Sequence, residues 1–343
     1  MVMVMKCVKL TGAKKLEVSE IEMPKDNGKV IFKVNSCGIC GSDLHYWEMG
    51  NPIGLVMGHE FSGEVVNPGN RTDLKVGDRI SALPLSPCYK CEACKSGNLQ
   101  YCAETWSHAV GLSLDNSGAY AEYSSCDGNL VRKLPENVTD DEAAMIEPSA
   151  VSLHAVKLAD IKVGDKVCIV GGGIIGLMAA EFAKMEGATY IALLETNDER
   201  GKKSLTYGYV DEYLNPLNEE VVPSLKAKTG GFDKIIECSG SSAAVTEAIM
   251  LAKNGGTIIL VGVSMTPITV PMVVSVMGEI TMKGSIAYSE FDFDRVIELI
   301  NDKKLNVTKY IDKIITLDEV QNAFETLTSG KDGEVKIIIK PNK

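Results

Sequence analysis

Lys166-Val167-Cys168-Ile169-Val170-Gly171-Gly172-Gly173-Ile174-Ile175-Gly176 is the stretch that decides the fold of the second half of this chain. Val167 to Val170 is a short apolar run of the kind a buried strand shows, and it ends directly in G-x-G-x-x-G at Gly171, Gly173 and Gly176. Ile174 to Glu186 follows with the length and composition of a helix. Glycines at a strand-to-helix turn have three physical tasks: a tight turn, close approach of backbone to a pyrophosphate, and close packing of helix on sheet. The helix N-terminus offers its unpaired N–H groups to the same anion. Tyr190 to Leu194 reads as a second strand, and Glu195 stands at its end, nineteen residues after Gly176. A carboxylate there accepts hydrogen bonds from both hydroxyls of an adenosine ribose and repels a 2′-phosphate, which favours NAD over NADP; Arg200 close by leans the other way.

Working outward, further strands are expected at Lys234–Glu237, Thr257–Val261 and Glu279–Met282, with helices such as Ser242–Lys253 between them. This alternation predicts a doubly wound parallel sheet, a Rossmann domain over residues 149–285. Residues 1–148 have another texture, rich in Gly and Pro, with short β-type runs at Lys29–Val34, Gly63–Val66 and Asp78–Ala82. Such strands suggest a barrel or sandwich. After residue 286 the rhythm becomes a helix (Asp294–Asp302), a strand-like Lys313–Ile315, a helix (Leu317–Thr328) and a strand (Val335–Ile339). This tail, 286–343, is expected to return to the first domain.

The first domain carries Cys40-Gly41-Ser42-Asp43-Leu44-His45 and Gly58-His59-Glu60. A thiolate, an imidazole and a carboxylate form a mixed ligand set suited to Zn²⁺ held with an open position, the arrangement of a catalytic zinc. A second cluster, Cys88, Cys91, Cys94 and Cys102, lies in a lobe at 84–103. Four thiolates at this spacing close one tetrahedral structural zinc; a Cys₄ iron–sulfur cluster is the rival reading. The other six of the ten cysteines include Cys7, Cys126, Cys168 and Cys238, which read as small buried hydrophobes.

The bulk numbers bound the rest. A length of 343 residues favours two domains, and the net charge of −11 argues against nucleic-acid and anionic-membrane partners. The apolar start gives way to Lys6 too soon for a signal sequence, and no run is long enough to span a bilayer, so a cytoplasmic protein is expected.

Taken together, Cys40-Gly41-Ser42-Asp43-x-His45, Gly58-His59-Glu60-x-x-Gly63, the four-cysteine lobe and the Gly171/Gly173/Gly176 turn with Glu195 resemble the zinc-containing medium-chain dehydrogenase/reductase family over essentially the whole chain. Ile146-Glu147-Pro148 places a glutamate where classical alcohol dehydrogenases carry a third, cysteine ligand, so the chain is most similar to polyol (sorbitol) and 2,3-butanediol dehydrogenases. The resemblance implies a GroES-like β-barrel catalytic domain around an inserted Rossmann domain. It also implies two Zn²⁺ per chain and reversible, zinc-dependent oxidation of a secondary alcohol or polyol to a ketone, with hydride passing to NAD. Cys40 and His59 become ligands of the catalytic zinc, with either Glu60 or Glu147 beside them, one of the two exchanging or acting through water. Cys37 is given a structural role. Asp43 becomes the acid that orients His59, and Ser42 and His45 a proton relay. Gly171, Gly173, Ile175, Gly176, Glu195, Arg200, Val263 and Lys336 form the cofactor set, with Lys336 on the phosphates. Trp47, Met49 and Tyr120 are candidates to line a substrate pocket or to pack a core. The family also implies a homo-dimer or homo-tetramer. The competing expectations are reduction of a different carbonyl (steroid, sugar phosphate or amino alcohol) with NADP, and a non-catalytic zinc- or redox-sensing relative.

Overall fold

A computed structural model describes residues 3–343. Two compact units result: residues up to Ala150 together with Tyr288–Lys343, and Val151–Ala287. The helix Ile146–Ala159 runs across the boundary between them.

The second unit is a six-stranded parallel sheet. Its order across the sheet is Glu212–Leu214, Tyr190–Leu194, Lys166–Val170, Phe232–Glu237, Ala252–Leu260 and Thr281–Gly284. The chain winds outward in one direction from Lys166–Val170, then restarts beside it at Phe232–Glu237, pairing Glu237 with Val170. The carboxyl ends of these two strands therefore form the crevice where strand order reverses, the place such sheets bind ligands. Apolar residues from both central strands and from the helix Ser242–Leu251 fill the core, among them Cys168, Ile235, Val245 and Ile249. The three-residue strand Glu212–Leu214 was not anticipated, because so short a run shows no period of its own.

The first unit holds a seven-stranded sheet and a two-stranded hairpin, Val4–Gly12 with Lys15–Glu22. At its centre Val30–Gly38 pairs antiparallel with Glu60–Asn67, which sets Gly38 opposite Glu60 and Cys37 opposite Phe61. On the other side of Val30–Gly38 lies the C-terminal strand Ile337–Ile339, with Ile338 opposite Gly38. Thus the last residues of the chain become the neighbour of the site-bearing strands. The return of the tail is fastened by Arg132, whose guanidinium reaches Glu290 at 2.8 Å and Asp294 at 2.6 Å.

That tail helix spans Glu290–Asn301 and starts four residues earlier than Asp294. The start is set by Ser289, whose hydroxyl and backbone N–H both meet the Asp292 carboxylate, a capping box worth about 1 kcal/mol. The final strand is shorter than expected at Ile337–Ile339, because Asp312 takes the N–H groups of Val335 and Lys336 out of the ladder. Among the described residues no helix is long and apolar enough to cross a membrane.

Candidate active site

Cys40 sits at the junction of the central strand with the short helix Gly41–Met49. Asp43, in the first turn of that helix, is fully buried. One of its oxygens accepts the Cys40 N–H at 3.0 Å and the Tyr120 hydroxyl at 2.7 Å. Its other oxygen lies 3.6 Å from His59 Nδ1. Two hydrogen bonds thus hold the carboxylate, and the carboxylate faces one nitrogen of the imidazole and leaves the other for the site.

Cys40, His59 and Glu60 bring ligand atoms within 4.8 Å of one another. Glu60 is only 1% exposed. One of its oxygens accepts a 2.6 Å hydrogen bond from the Lys336 ammonium, which also donates to the Ile39 carbonyl at 3.0 Å. Its other oxygen has no hydrogen-bond partner, and His59 Nδ1 has none either, the Asp43 carboxylate standing 3.6 Å away. This carboxylate can lie across to Lys336 only because residue 38 is glycine: a Cβ there would stand 2.1 Å from Glu60 Oε2. Glu147 is not within that ligand group. It is buried next to the Tyr288 ring, close enough to His59 and Glu60 for their charges to act on it.

The electrostatics call for a cation. Three carboxylates (Asp43, Glu60, Glu147) and the Cys40 thiol surround His59, and Lys336 is the ammonium among them. Burial alone would push the His59 imidazole down, yet Asp43, Cys40 and Glu147 hold it well above its ordinary value. Burial also pushes the Glu147 carboxyl up. A divalent ion would take the place of that proton, and orphaned Glu60 Oε1 with a thiol and an imidazole is a donor set zinc accepts. The fit is therefore good.

Ser42 is half-buried and His45 exposed, three residues apart on one side of the helix Gly41–Met49. Trp47 and Tyr120 are core residues, each packing edge-on against Phe324. Tyr120 has a further task that spacing alone could not reveal, the support of Asp43. Cys37 is fully buried, outside the ligand group.

Cys88, Cys91, Cys94 and Cys102 also gather their sulfurs within 4.8 Å. Backbone N–H groups point at these sulfurs, Cys91 N–H to Cys88 Sγ and Cys88 N–H to Cys102 Sγ, each at 3.4 Å. The Cys88 amide holds the Cys102 thiol well below its ordinary value. Burial pushes the Cys94 thiol the other way, up to about 12, so the lobe favours a thiolate at Cys102. All ten cysteines are free.

In the second unit the glycine turn has the expected form. Gly171 has φ +98°, and a Cβ on Gly176 would lie 1.9 Å from the Gly171 carbonyl. Gly173 caps the helix Ile174–Met185 with open space above it. Glu195 accepts N–H groups from Gly172 and Asn197, both at 2.7 Å, and lies 3.6 Å from an Arg200 nitrogen. Ile175 is half-buried in the first turn, and the Val263 backbone lies against Gly240 at the crevice. A cavity of about 500 Å³ opens here, lined by Gly171, Gly173, Glu195 and Arg200 among others.

Lys336, expected on the cofactor phosphates and not at an exposed edge, is fully buried, and its ammonium gives two of its three N–H groups to Glu60 and Ile39 beside the Cys40 cluster.

One prediction arises directly from the support of His59. Asp43→Asn keeps the shape but removes the charge that fixes the imidazole. Zinc affinity at the Cys40 site is expected to fall about 10–100-fold. Competition with a chromogenic chelator measures it, and an affinity within twofold of wild type would contradict the assignment.

Comparison with known proteins agrees with this geometry. Residues 26–136 match the alcohol dehydrogenase GroES-like domain, and residues 175–302 match the zinc-binding dehydrogenase family. The chain is 33% identical to sorbitol dehydrogenase of Gallus gallus over 96% of this chain and 94% of that protein. It is 31% identical to a probable D-xylulose reductase A of Arthroderma otae, over 94% of each chain. Its fold superposes on 2R,3R-butanediol dehydrogenase from Bacillus subtilis with a TM-score of 0.88 and 33% identity, covering 98% of this chain and 100% of that one. With a mixed metal-ligand group in a GroES-like domain and a glycine turn in a Rossmann sheet, the chain belongs to the zinc-containing medium-chain dehydrogenase/reductase family, on the side of its polyol and butanediol dehydrogenases.

Proposed function

We propose that this enzyme reversibly oxidises a polyol or other secondary alcohol to the ketone, with NAD⁺ as hydride acceptor. The observation that carries the reading is the Cys40–His59–Glu60 group, one ligand short of the four a tetrahedral zinc takes. Zinc bound there supplies a Lewis acid that makes a substrate hydroxyl acidic. Cys40, His59 and Glu60 hold it, with Lys336 steadying the second oxygen of Glu60, and Glu147 stands as the alternative carboxylate. Asp43 keeps the His59 tautomer. Ser42 would take up the hydroxyl proton while releasing its own through the cofactor ribose to His45, which is exposed one turn on and gives a proton to water. The four-cysteine lobe holds a second, structural zinc.

Glu195 supports NAD over NADP. Its carboxylate is fixed by two backbone N–H groups where an adenosine ribose would present its hydroxyls, and Arg200 is drawn to that carboxylate. The test is a screen of xylitol, sorbitol, galactitol phosphate and 2,3-butanediol with NAD⁺ or NADP⁺, followed by absorbance of the reduced nicotinamide. Turnover of at least one polyol or diol, faster with NAD⁺, is expected. No turnover of any of them by zinc-replete protein would sink the reading.

Ten free cysteines support a cytoplasmic setting. A homo-oligomer is supported by the sheet edge. Thr281–Gly284 is an edge strand exposed along its whole length, and Val273, Val276 and Met277 are exposed on the nearby helix Met272–Met277. Such an open apolar edge invites pairing with a second copy. Light scattering should give a mass at least twice 36.9 kDa, reduced to that value in Val276→Lys/Met282→Lys. A monomeric wild type would refute it.

A further inference from the structure

The cavity at the crevice has more walls than the pyrophosphate and ribose require. Gly171 and Gly173 stand at its phosphate end and Glu195 at its ribose position. What is left is lined by Pro216 and Leu217, and by Ala243, Ala244 and Glu247 of the helix Ser242–Leu251. Small and apolar side chains leave a slot for a flat ring.

Glu247 is one of two carboxylates in the cavity lining, beside Glu195. It is half-buried, and burial pushes its carboxyl up. No hydrogen bond or ion pair reaches it among the described residues, whereas Glu195 in the same cavity is fully engaged. The Glu247 carboxylate oxygens are not among the buried atoms left without a partner, so they stay accessible, and a ligand bearing a donor can reach them. Adenine carries such a donor, the exocyclic N6 amine. Hypoxanthine carries a carbonyl oxygen at the same position, which a carboxylate repels.

We propose that Glu247 accepts a hydrogen bond from the adenine N6 amine and so selects adenine dinucleotides over their hypoxanthine analogues. The assignment rests on the nicotinamide-dinucleotide reading of this cavity. It makes Glu247 a specificity-determining residue, away from the redox chemistry. Recognition by a hydrogen-bonding group discriminates far better than an apolar slot, because the wrong base leaves the group unpaired.

The experiment measures dissociation constants of NADH and of reduced nicotinamide hypoxanthine dinucleotide by calorimetry, on zinc-replete protein without substrate. Wild type should bind NADH about 10-fold or more tightly than the hypoxanthine analogue. Glu247→Gln, which can donate to the carbonyl oxygen, should bring the ratio to within about threefold, and Glu247→Ala should lower it mainly by weakening NADH. An equal loss of both ligands would mark a structural role and overturn the proposal. So would an unchanged ratio in both variants. Wild type that binds neither dinucleotide would overturn the cofactor reading, and this assignment with it; binding with an unaltered ratio overturns the assignment alone.

Discussion

Cys40→Ser is expected to leave a folded chain that holds one zinc ion in place of two and oxidises its alcohol at least about 10³-fold more slowly. A Lewis acid at the reacting oxygen supplies several kcal/mol of transition-state stabilisation, and each 1.4 kcal/mol is a factor of ten in rate. Serine offers a hard, protonated hydroxyl where zinc needs a soft anion. The variant should fold because Cys40 is only half-buried and its backbone N–H still reaches Asp43. Cys91→Ser provides the contrast. It too is expected to cost one metal ion, but from the lobe at 84–103, where four thiolates would leave no room for substrate. Zinc contributes on the order of 10 kcal/mol of local folding free energy in such a site. The Cys91 variant should therefore lose protease resistance in that lobe before it loses catalytic chemistry. Metal analysis, turnover and limited proteolysis of the two proteins check the pair. Full activity in zinc-depleted Cys40→Ser would end the catalytic-zinc assignment.

Lys336→Met should destabilise the first unit by about 3–5 kcal/mol, because it strands the Glu60 carboxylate in a nearly solvent-free place without its counter-ion. In a unit of this size that corresponds to a fall in Tm of roughly 6–20 °C. The loss belongs to the unpaired charge more than to the missing contact. Lys336→Met/Glu60→Gln, with a neutral amide beside the methionine, should thus regain most of the stability. Urea unfolding of the apo proteins measures this without interference from metal. A single variant within about 1 kcal/mol of wild type would show that the pair carries little.

The chain shows which features a sequence exposes. The strand, glycine turn and helix at 166–185 appear where the period and the glycines place them, because each is a consequence of backbone geometry over a few residues. The two groups that could hold a metal are legible for a related reason: Cys88 to Cys102, and His59 with Glu60, are near neighbours along the chain. Element boundaries were less visible. The helix at Glu290 was placed late because its start depends on a serine and an aspartate three residues apart, a signal weaker than the apolar run that follows. Glu212–Leu214 was missed because three residues form a strand only when a neighbouring strand is already there to pair with.

By itself, the sequence determined the residue types and the short-range spacing: a mixed Cys/His/carboxylate group, a Cys₄ group, and a dinucleotide turn with its acid. Tertiary structure decided which distant groups complete them. Lys336 meets Glu60 across 276 residues, and Tyr120 meets Asp43 across 77. The first contact exists because the C-terminal strand pairs Ile338 with Gly38, and Gly38 pairs with Glu60 on its other edge. Register of that kind is set by how whole sheets bury their apolar faces, and no local pattern near residue 336 encodes it. The pairing of Lys336 with Glu60 is for this reason a product of the sheet and not of any segment read alone.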